Sequence, residues 1–249
     1  NLNEPCGYMG MLREKFMSKT PAIAVIPARG GSKRAPGKNT ALFKGKALVA
    51  HTIEQAIDSG HFDEIVVTTD SHDVKEVSQG YPVTLHQRRK DLADDNATIL
   101  EVMRSLGHEG KWSSDAVIAL LQVTAPLRMV EDIQRAYHLY INSDSTCAVV
   151  SVTENDYPMQ LTMRIEEERL VPMFPKVYKK GLRKQDQGAT YRWNDAVMVD
   201  SFGNLSDPSR VNLFGESPIP YVMPLERSVA IDYPFHLEIC QALGELNRS

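Results

Sequence analysis

The sequence has few cysteines, no long apolar run and no excess of positive charge, and each of these absences excludes a class of protein. Its three cysteines, Cys6, Cys147 and Cys240, are far apart and show no CxxC or Cys/His spacing typical of a metal site. This favours a reduced protein of the cytoplasm over a disulfide-stabilised one. No apolar run approaches membrane-spanning length, so no membrane partner is expected. A net charge of -4 argues against general nucleic-acid binding.

The length and composition predict a single α/β core. The chain has 249 residues, of which 42% are hydrophobic and 24% are charged. Residues 1–20 mix Met, Lys, Arg and Glu without a continuous apolar stretch, so they do not form a secretory signal. We expect a flexible leader over 1–20 and one domain over 21–249.

The first ordered stretch has the pattern of a strand, a helix and a second strand. An apolar run, Ala22–Ile26, suits a buried parallel strand. Apolar residues then recur at helical spacing from Leu48 to Ile57, and Glu64–Thr69 is a second apolar run. This order predicts a right-handed crossover and a parallel sheet. Asp70 ends the second strand, where it could face a ligand or cap the next turn, and capping is the favoured prediction.

The loop after the first strand is rich in glycine and cations. Residues 29–38 read RGGSKRAPGK, so glycine amides and cationic side chains surround one short turn. Basic residues alone are typical of a solvated turn, but the preceding strand and the paired glycines favour a polyphosphate cradle. The loop is neither a Walker loop nor a G-x-G-x-x-G fingerprint, because the glycines and the lysine have the wrong spacing.

The rest of the chain continues the alternation and then changes character. Near residues 155–190, prolines and alternating apolar residues predict an inserted antiparallel hairpin with Glu166–Arg169 at its tip. The other predicted elements are strands Tyr81–His86, Ala116–Val123 and Thr146–Val152 and helices over 99–106, 130–140 and 235–246.

Three motifs resemble one enzyme family. The stretch IPARGGSKRAPGKN is close to IPARGGSKGIPGKN of the acylneuraminate (sialic acid) cytidylyltransferases, and LQVTAPLR at 121–128 resembles their LQPTSPLR. The residues Arg183, Lys184, Gln185, Asp186, Tyr191 and Asn194 follow the family's Arg-Arg-Gln-Asp…Tyr…Asn-Gly pattern. The resemblance covers residues 22 to about 240.

The resemblance implies a fold and a reaction. The expected fold is a three-layer α/β sandwich with a mostly parallel sheet, of the Rossmann-like nucleotide-diphospho-sugar transferase type. The insertion at about 155–190 would be a dimerisation arm of a homodimer. The implied reaction joins CTP and an acidic nine-carbon sugar into a CMP-sugar and diphosphate with Mg²⁺, and supplies cell-surface polysaccharide synthesis.

The resemblance also implies roles for individual residues. The expected catalytic residues are Arg29, Lys38 and Lys184. The expected nucleotide-binding residues are Arg29, Gly30, Gly31, Ser32, Lys33, Lys38, Asn39, Arg88, Asn96, Thr98 and Gln122. The expected sugar-binding residues are Gln122, Arg183, Lys184, Gln185, Tyr191 and Asn194. The expected metal ligand is Asp232.

Several departures from the family pattern keep alternatives open. Ala230 stands where the family has the first Asp of Asp-Ile-Asp, which leaves Asp232 as a lone ligand or a helix cap. Lys184 replaces an Arg, and Asp195 begins a segment that replaces the usual Gly-Ala-Ile-Tyr-Ile. The alternatives are a nucleotidyltransferase for another sugar acid or nucleotide, a non-catalytic nucleotide-binding protein, and, against the net charge, a nucleic-acid module using the cations at 176–184.

Overall fold

A central sheet orders the chain in the computed structural model, which describes residues 20–94, 97–143, 146–180 and 188–246. The predicted leader, 1–20, lies outside these residues except for Thr20. The strands are β1 Ala22–Pro27, β2 Leu42–Phe43, β3 Lys46–Ala47, β4 Glu64–Thr69, β5 Thr84–Gln87, β6 Val117–Leu121, β7 Val149–Glu154, β8 Met163–Glu166, β9 Arg169–Pro172, β10 Tyr191–Ser201 and β11 Ile219–Val222.

The main sheet has seven strands in the order β11-β7-β10-β6-β1-β4-β5. Strands β1, β4, β5 and β6 pair in parallel, as do β7 and β11, whereas β10 runs antiparallel to both of its neighbours. The predicted mostly parallel sheet is therefore confirmed. The chain moves outward from β1 to β5 and then returns to β6 on the other side of β1. This reversal opens a crevice at the carboxyl ends of β1 and β6.

Helices cover both faces of the sheet and complete the predicted three layers. One face packs against the helices Leu48–Ser59, His72–Ser78, Val130–Ile141 and Pro234–Leu246, and the other packs against the helices Ile99–Glu109 and Phe202–Ser206. Alternate residues of the buried strands serve the two faces; Ala24 and Ile26 of β1 belong to one core and Ile23 and Val25 to the other. The helices are α1 Leu48–Ser59, α2 His72–Ser78, α3 Lys90–Ala93, α4 Ile99–Glu109, α5 Val130–Ile141, α6 Pro175–Tyr178, α7 Phe202–Ser206 and α8 Pro234–Leu246.

The predicted hairpin forms a separate two-stranded sheet of β8 and β9. Its two turn residues, Glu167 and Glu168, both have positive φ, at 46° and 61°. Two left-handed residues match the twist of a tight hairpin. The strands expose large apolar side chains, since Ile165 is 77% exposed and Leu170 is 67% exposed.

Two predicted strand boundaries are wrong by a few residues. Strand β5 begins at Thr84, because Tyr81 belongs to the turn after α2, where its N–H donates to the Ser78 carbonyl. Strand β7 spans Val149–Glu154 and so begins and ends later than predicted. Within the described ranges, no helix is long and apolar enough to cross a bilayer.

Candidate active site

A cavity of about 440 Å³ opens at the crevice between the ends of β1 and β6. Five cationic side chains and one carboxylate line it, although the whole chain is acidic. Eight of the residues predicted from sequence meet here. The lining residues are Pro27, Arg29, Ser32, Lys33, Arg34, Lys38, Asn39, Arg88, Ile99, Gln122, Val123, Thr124 and Asp232.

A side-chain hydrogen bond joins the two ends of the basic loop, residues 29–38. The side-chain amide of Asn39 donates to the Arg29 carbonyl at 2.8 Å and joins the two ends of the loop. Between them, Gly37 has a φ of 69°, a left-handed conformation that favours glycine and leads into a 3-10 turn at Lys38–Thr40. The hydrogen bond between Asn39 and Arg29 therefore closes the loop, and the cationic side chains of the loop line one wall of the cavity.

Asp70 holds the glycine part of the loop, and the prediction that it caps a helix is wrong. Its carboxylate accepts the N–H of Gly30 at 2.8 Å, whereas Ser71 caps α2. The Gly30 amide is therefore engaged by protein and does not face the cavity as a free phosphate donor, contrary to its predicted role. Gly31 lies next to it, and neither glycine is among the lining residues. The cationic side chains and Ser32 make up the loop's share of the wall.

Lys38 is a partly buried cation of the loop. Its ammonium donates to the Ile231 carbonyl at 3.2 Å, which connects the loop to the segment before α8. Burial lowers the pKa of Lys38, while Asp232 and Asp195 act in the opposite direction. A partly desolvated cation interacts strongly with a phosphate group, because there is less water to screen it.

Arg88 and Arg29 approach the cavity from the β4–β5 side. Arg88 is only 3% exposed, and its Nε and Nη2 donate to the hydroxyl and carbonyl of Thr68. Burial lowers the pKa of its guanidinium to about 10. Arg29 donates through Nη1 to the carbonyls of Ala93 and Asp94, at 3.4 and 3.0 Å. Both arginines are thus fixed by backbone carbonyls and lie along the cavity.

The end of β6 supplies the opposite wall through Gln122 and Thr124. The Gln122 side chain is half-buried at the cavity, where sequence placed it. Thr124 is 9% exposed, and its hydroxyl has no hydrogen-bond partner among the residues that the structure describes. A buried hydroxyl without a partner is costly, so a polar ligand atom at this position would stabilise it.

Two predicted ligand contacts are explained by local structure instead. Thr98 begins α4 with a full capping box, since its hydroxyl accepts the Glu101 N–H and Glu101 accepts the Thr98 N–H. Asn194 is 1% exposed, and its amide bonds to the hydroxyls of Ser151 and Ser228. These bonds occupy Asn194 in holding β10 to its neighbours, so the structure places it in the core and not in a sugar pocket.

Of the other predicted sugar contacts, Tyr191 is among the residues that the structure describes. Tyr191 is half-exposed at the start of β10, where it pairs with Glu154 on β7. The predicted residues Asn96, Arg183, Lys184 and Gln185 lie outside the described residues, as does Asp186 of the same motif.

Sequence reasoning gave no role to Arg34 or Asp195, and the structure places Arg34 beside Asp232. Arg34 lines the cavity, with its Nη2 3.6 Å from the Asp232 carboxylate and its guanidinium 5.7 Å from the Tyr233 ring centre. Asp195 interacts electrostatically with both Asp232 and Lys38. The signals were an arginine within the family's loop motif and an aspartate replacing a glycine. Neither signal indicates spatial proximity to residue 232.

The residues around Asp232 fit a magnesium ion that binds together with a nucleotide. The described residues contain no group of three or more His, Cys, Asp or Glu side chains that could hold a metal alone. Mg²⁺, however, usually takes one or two carboxylates and completes its shell with phosphate oxygens and water. Asp232 and the unpartnered Thr124 hydroxyl, both in the cavity wall, supply oxygen ligands of this kind.

The family model for cytidylyltransferases matches residues 23–219, which is most of the chain and extends from β1 to the first residue of β11. This chain belongs to the cytidylyltransferase family. The resemblance found in the loop and strand motifs is therefore confirmed.

Curated relatives resemble the chain over most of its length. It is 36% identical over 229 residues to the pseudaminic acid cytidylyltransferase of Campylobacter jejuni, which covers 90% of this chain and 97% of that protein. It is 31% identical over 232 residues to the CMP-N,N'-diacetyllegionaminic acid synthase of Legionella pneumophila, covering 91% and 97%. It is 31% identical over 222 residues to the N-acylneuraminate cytidylyltransferase of Escherichia coli, covering 89% of this chain but only 51% of that protein. The chain thus spans about half of the last relative.

Solved structures share the fold at low identity. One is a CMP:2-keto-3-deoxy-manno-octonic acid synthetase complexed with CTP, with a TM-score of 0.68 and 17% identity over 92% of this chain and 100% of that one. Another is a 4-diphosphocytidyl-2C-methyl-D-erythritol synthase, with a TM-score of 0.67 and 14% identity over 90% and 98%. These similarities support the predicted Rossmann-like transferase fold.

Proposed function

We propose that this cytidylyltransferase joins CTP to a nine-carbon 2-keto acid sugar of the sialic acid type and releases diphosphate. The observation that carries the proposal is the cavity at the strand ends, where five cations face a space large enough for a nucleotide in a chain of net charge -4. The curated relatives support the sugar class, because their names specify N-acylneuraminate, pseudaminic acid and legionaminic acid.

In the proposed reaction, the anomeric hydroxyl oxygen of the sugar attacks the α-phosphorus of CTP. The new O–P bond forms as the bond from the α-phosphorus to the bridging oxygen breaks, and diphosphate leaves opposite the attacking oxygen. The hydroxyl proton passes to solvent or to a nearby base. Little covalent chemistry is required of the protein, since positioning and charge neutralisation carry phosphoryl transfer.

The cavity residues have separate tasks in this scheme. Arg29, Lys33 and Lys38 neutralise the triphosphate, and Lys38 stabilises the charge that grows on the leaving diphosphate. Asn39 and Arg88 hold the cytidine side, and Gln122 faces the sugar. Arg183, Lys184 and Gln185 of the insertion and Tyr191 at the start of β10 remain the proposed sugar contacts.

We include Mg²⁺ in the proposal, held by Asp232 and by phosphate oxygens of CTP. When bound, it supplies neutralisation of phosphate charge and polarisation of the phosphoryl oxygen. We also place the reaction in the cytoplasm, where CTP is available, and upstream of a glycosyl transfer that consumes the CMP-sugar for surface polysaccharide.

The arm over about 155–190 supports a proposed homodimer. Its described part exposes the large apolar side chains of Ile165, Leu170, Met173 and Phe174. Exposed apolar side chains that lie together are typical of a protein–protein interface. Replacing Ile165 and Leu170 together by Glu should convert a dimer to a monomer in analytical ultracentrifugation, with Arg164→Glu as a charged control on the same hairpin. A monomeric parent protein would contradict this part of the proposal.

The reaction is tested by diphosphate release from CTP and Mg²⁺ with a panel of acids. The panel holds N-acetylneuraminic, legionaminic and pseudaminic acids and shorter 3-deoxy keto acids, with ATP, GTP and UTP as nucleotide controls. Release with CTP and one nine-carbon acid is expected. Binding of CTP without release from any acid would contradict catalysis and favour a nucleotide-binding protein of the same fold.

A further inference from the structure

We propose that Arg34 binds the two outer phosphates of CTP, and that its contact with Asp232 is a resting position from which the guanidinium moves to the nucleotide. The inference rests on the proposed function, because it takes CTP as the ligand of the cavity. It deepens that function by giving a ligand to a cation that the predicted triphosphate set, Arg29, Lys33 and Lys38, does not include.

Arg34 is a departure from the family's loop pattern. The pattern reads SKGIPGK where this chain reads SKRAPGK, so the guanidinium stands at a position that has no side chain in the pattern. Ala230 is a second departure, since the pattern has Asp there. Relative to the pattern, this chain has one more cation in the loop and one carboxylate fewer on the segment that ends at Asp232. Both changes make the charge near Asp232 more positive, which favours an anionic ligand.

Arg34 and Arg88 lie on opposite sides of the cavity that they both line. Arg88 donates to Thr68 on β4. The segment that Arg34 contacts is bonded instead to the chain after β6, where the Ile231 N–H donates to the Thr124 carbonyl. Strands β4 and β6 flank β1 in the sheet. A nucleotide with its cytidine side at Arg88 therefore extends its phosphates across the end of β1 toward Arg34.

Arg34 contacts both Asp232 and the aromatic ring of the next residue. Its Nη2 lies 3.6 Å from the Asp232 carboxylate, and its guanidinium carbon lies 5.7 Å from the centre of the Tyr233 ring. The Tyr233 ring in turn stacks on Phe235, with ring centres 6.0 Å apart and planes at 14°. An aromatic surface orients a planar guanidinium through its face and leaves the N–H groups at its edge able to donate.

The ion pair between Arg34 and Asp232 is weak enough to be exchanged. At 3.6 Å it is longer than a hydrogen bond, and the two side chains are 64% and 42% exposed, so water screens the attraction. A triphosphate carries more negative charge than one carboxylate, and its paired oxygens match the guanidinium fork. Phosphate is therefore the stronger of the two partners.

The segment at Asp232 is fixed, so Arg34 is the partner that moves. The Ile231 N–H donates to the Thr124 carbonyl at 2.8 Å, and the Ile231 carbonyl accepts from Lys38 at 3.2 Å. The Asp232 N–H donates to a ring nitrogen of His236 at 3.1 Å. Arg34 lies on an exposed part of the loop, and rotation about its side-chain bonds is enough to turn the guanidinium from Asp232 into the cavity.

The experiment measures binding of CTP, CMP and inorganic diphosphate by isothermal titration calorimetry, in chelator and without sugar acid. Arg34→Gln removes the charge and keeps a polar side chain. We expect it to weaken CTP and diphosphate about tenfold and CMP less than about twofold, because CMP lacks the two outer phosphates. Arg34→Lys should recover part of the loss. Arg89→Gln removes an exposed arginine that pairs with Asp91, and this matched control should bind all three ligands normally.

Two results would overturn the inference. An equal loss of CMP binding in Arg34→Gln would show a general effect of charge, and unchanged binding of CTP and diphosphate would leave Arg34 as a partner of Asp232 alone. If Arg34→Gln does not fold, Arg34→Gly, which restores the family pattern, provides the same test.

Asp232→Asn tests the resting position of Arg34. In chelator, this change should strengthen CTP binding, because it releases Arg34 and also removes a negative charge beside the phosphates. The gain should be smaller in the Arg34→Gln background, where only the second effect remains. Equal gains in the two backgrounds would contradict the resting contact.

The reaction is judged separately, by diphosphate release with the panel of acids. If Arg34→Gln loses diphosphate binding while the parent protein turns over no acid, the phosphate contact stands and the proposed reaction fails. If the parent turns over an acid while Arg34→Gln binds all three ligands normally, the reaction stands and the role of Arg34 fails.

Discussion

Two regions of this molecule bury charge, and they differ in whether the protein satisfies it. At the start of α5, Arg128 is 1% exposed and donates four hydrogen bonds, to the carbonyls of Gln122 and Ala196 and twice to the Gln55 side chain. At the cavity, Arg88 is 3% exposed and makes two bonds, both to Thr68. Burial lowers the pKa of each guanidinium to about 10.

This difference separates buried charges that hold the fold together from buried charges that are available to a ligand. Close to Arg128, the buried Asp132 carboxylate also has protein partners, accepting from the Tyr221 hydroxyl and from Arg227. A charge whose donors or acceptors are all used by the chain fixes elements together. A buried charge with fewer partners at a cavity is costly to the fold, and a ligand of opposite charge recovers that cost.

The largest effect is expected from breaking the satisfied region. Arg128→Met removes four hydrogen bonds and deprives two backbone carbonyls and the Gln55 side-chain oxygen of their Arg128 donors, so the free energy of unfolding should fall by about 3 kcal/mol or more. Urea denaturation measures this. Arg88→Met is the control and should cost less than half as much. Equal losses in the two variants would remove the distinction between the regions.

The next effect concerns the cation that interacts with both aspartates. Lys38→Ala should lower turnover by about 10²- to 10³-fold, the range found when one donor to developing charge is removed. The melting temperature should change little, because the side chain makes a single hydrogen bond to protein. Steady-state diphosphate release checks this, with Lys90→Ala as a control on the exposed start of α3. Near-normal turnover would rule out the proposed role of Lys38.

A smaller effect is expected at Arg88 itself. Arg88→Lys keeps the charge but loses the planar fork, so CTP affinity should fall about 10-fold while stability is retained. Isothermal titration calorimetry with CTP measures the affinity. The adjacent Arg89 is exposed and paired with Asp91, so Arg89→Lys is a closely matched control that should bind CTP normally. Loss of affinity in both variants would show a general effect of loop charge.

The smallest effect tests whether Asp195 destabilises the empty protein. Its folded-state pKa of about 6 lies above the ordinary value of 3.8, so its contribution to stability is present at low pH and is lost as the pH rises through about 6. In chelator, Asp195→Asn should therefore be more stable than the parent at pH 7.5. The gain should shrink by pH 5. A constant difference across this range would show that ionisation is not the cause.

The sequence predicted the site better than it predicted the role of each residue in it. The family resemblance assigned the loop motif, Arg88 and Gln122 to one site, and they do line one cavity, since parallel strands bring their carboxyl ends to one edge of the sheet. Asp70 was misassigned because its partner, the Gly30 amide, is forty residues away in sequence. Asn194 matched a motif, but its environment is set by Ser151 and Ser228, which belong to other elements.

What the sequence determined by itself was local order and family. Apolar runs, helical spacing and the motif at 22–39 depend on neighbouring residues, so strands, helices and the cytidylyltransferase resemblance could be read directly. Only the tertiary structure decided which charges meet. The contacts of Arg34 with Asp232 and of Asp132 with Arg227 join residues far apart in the chain. Packing likewise decides whether the N–H groups of a buried arginine all find acceptors in the protein, because those acceptors come from distant elements.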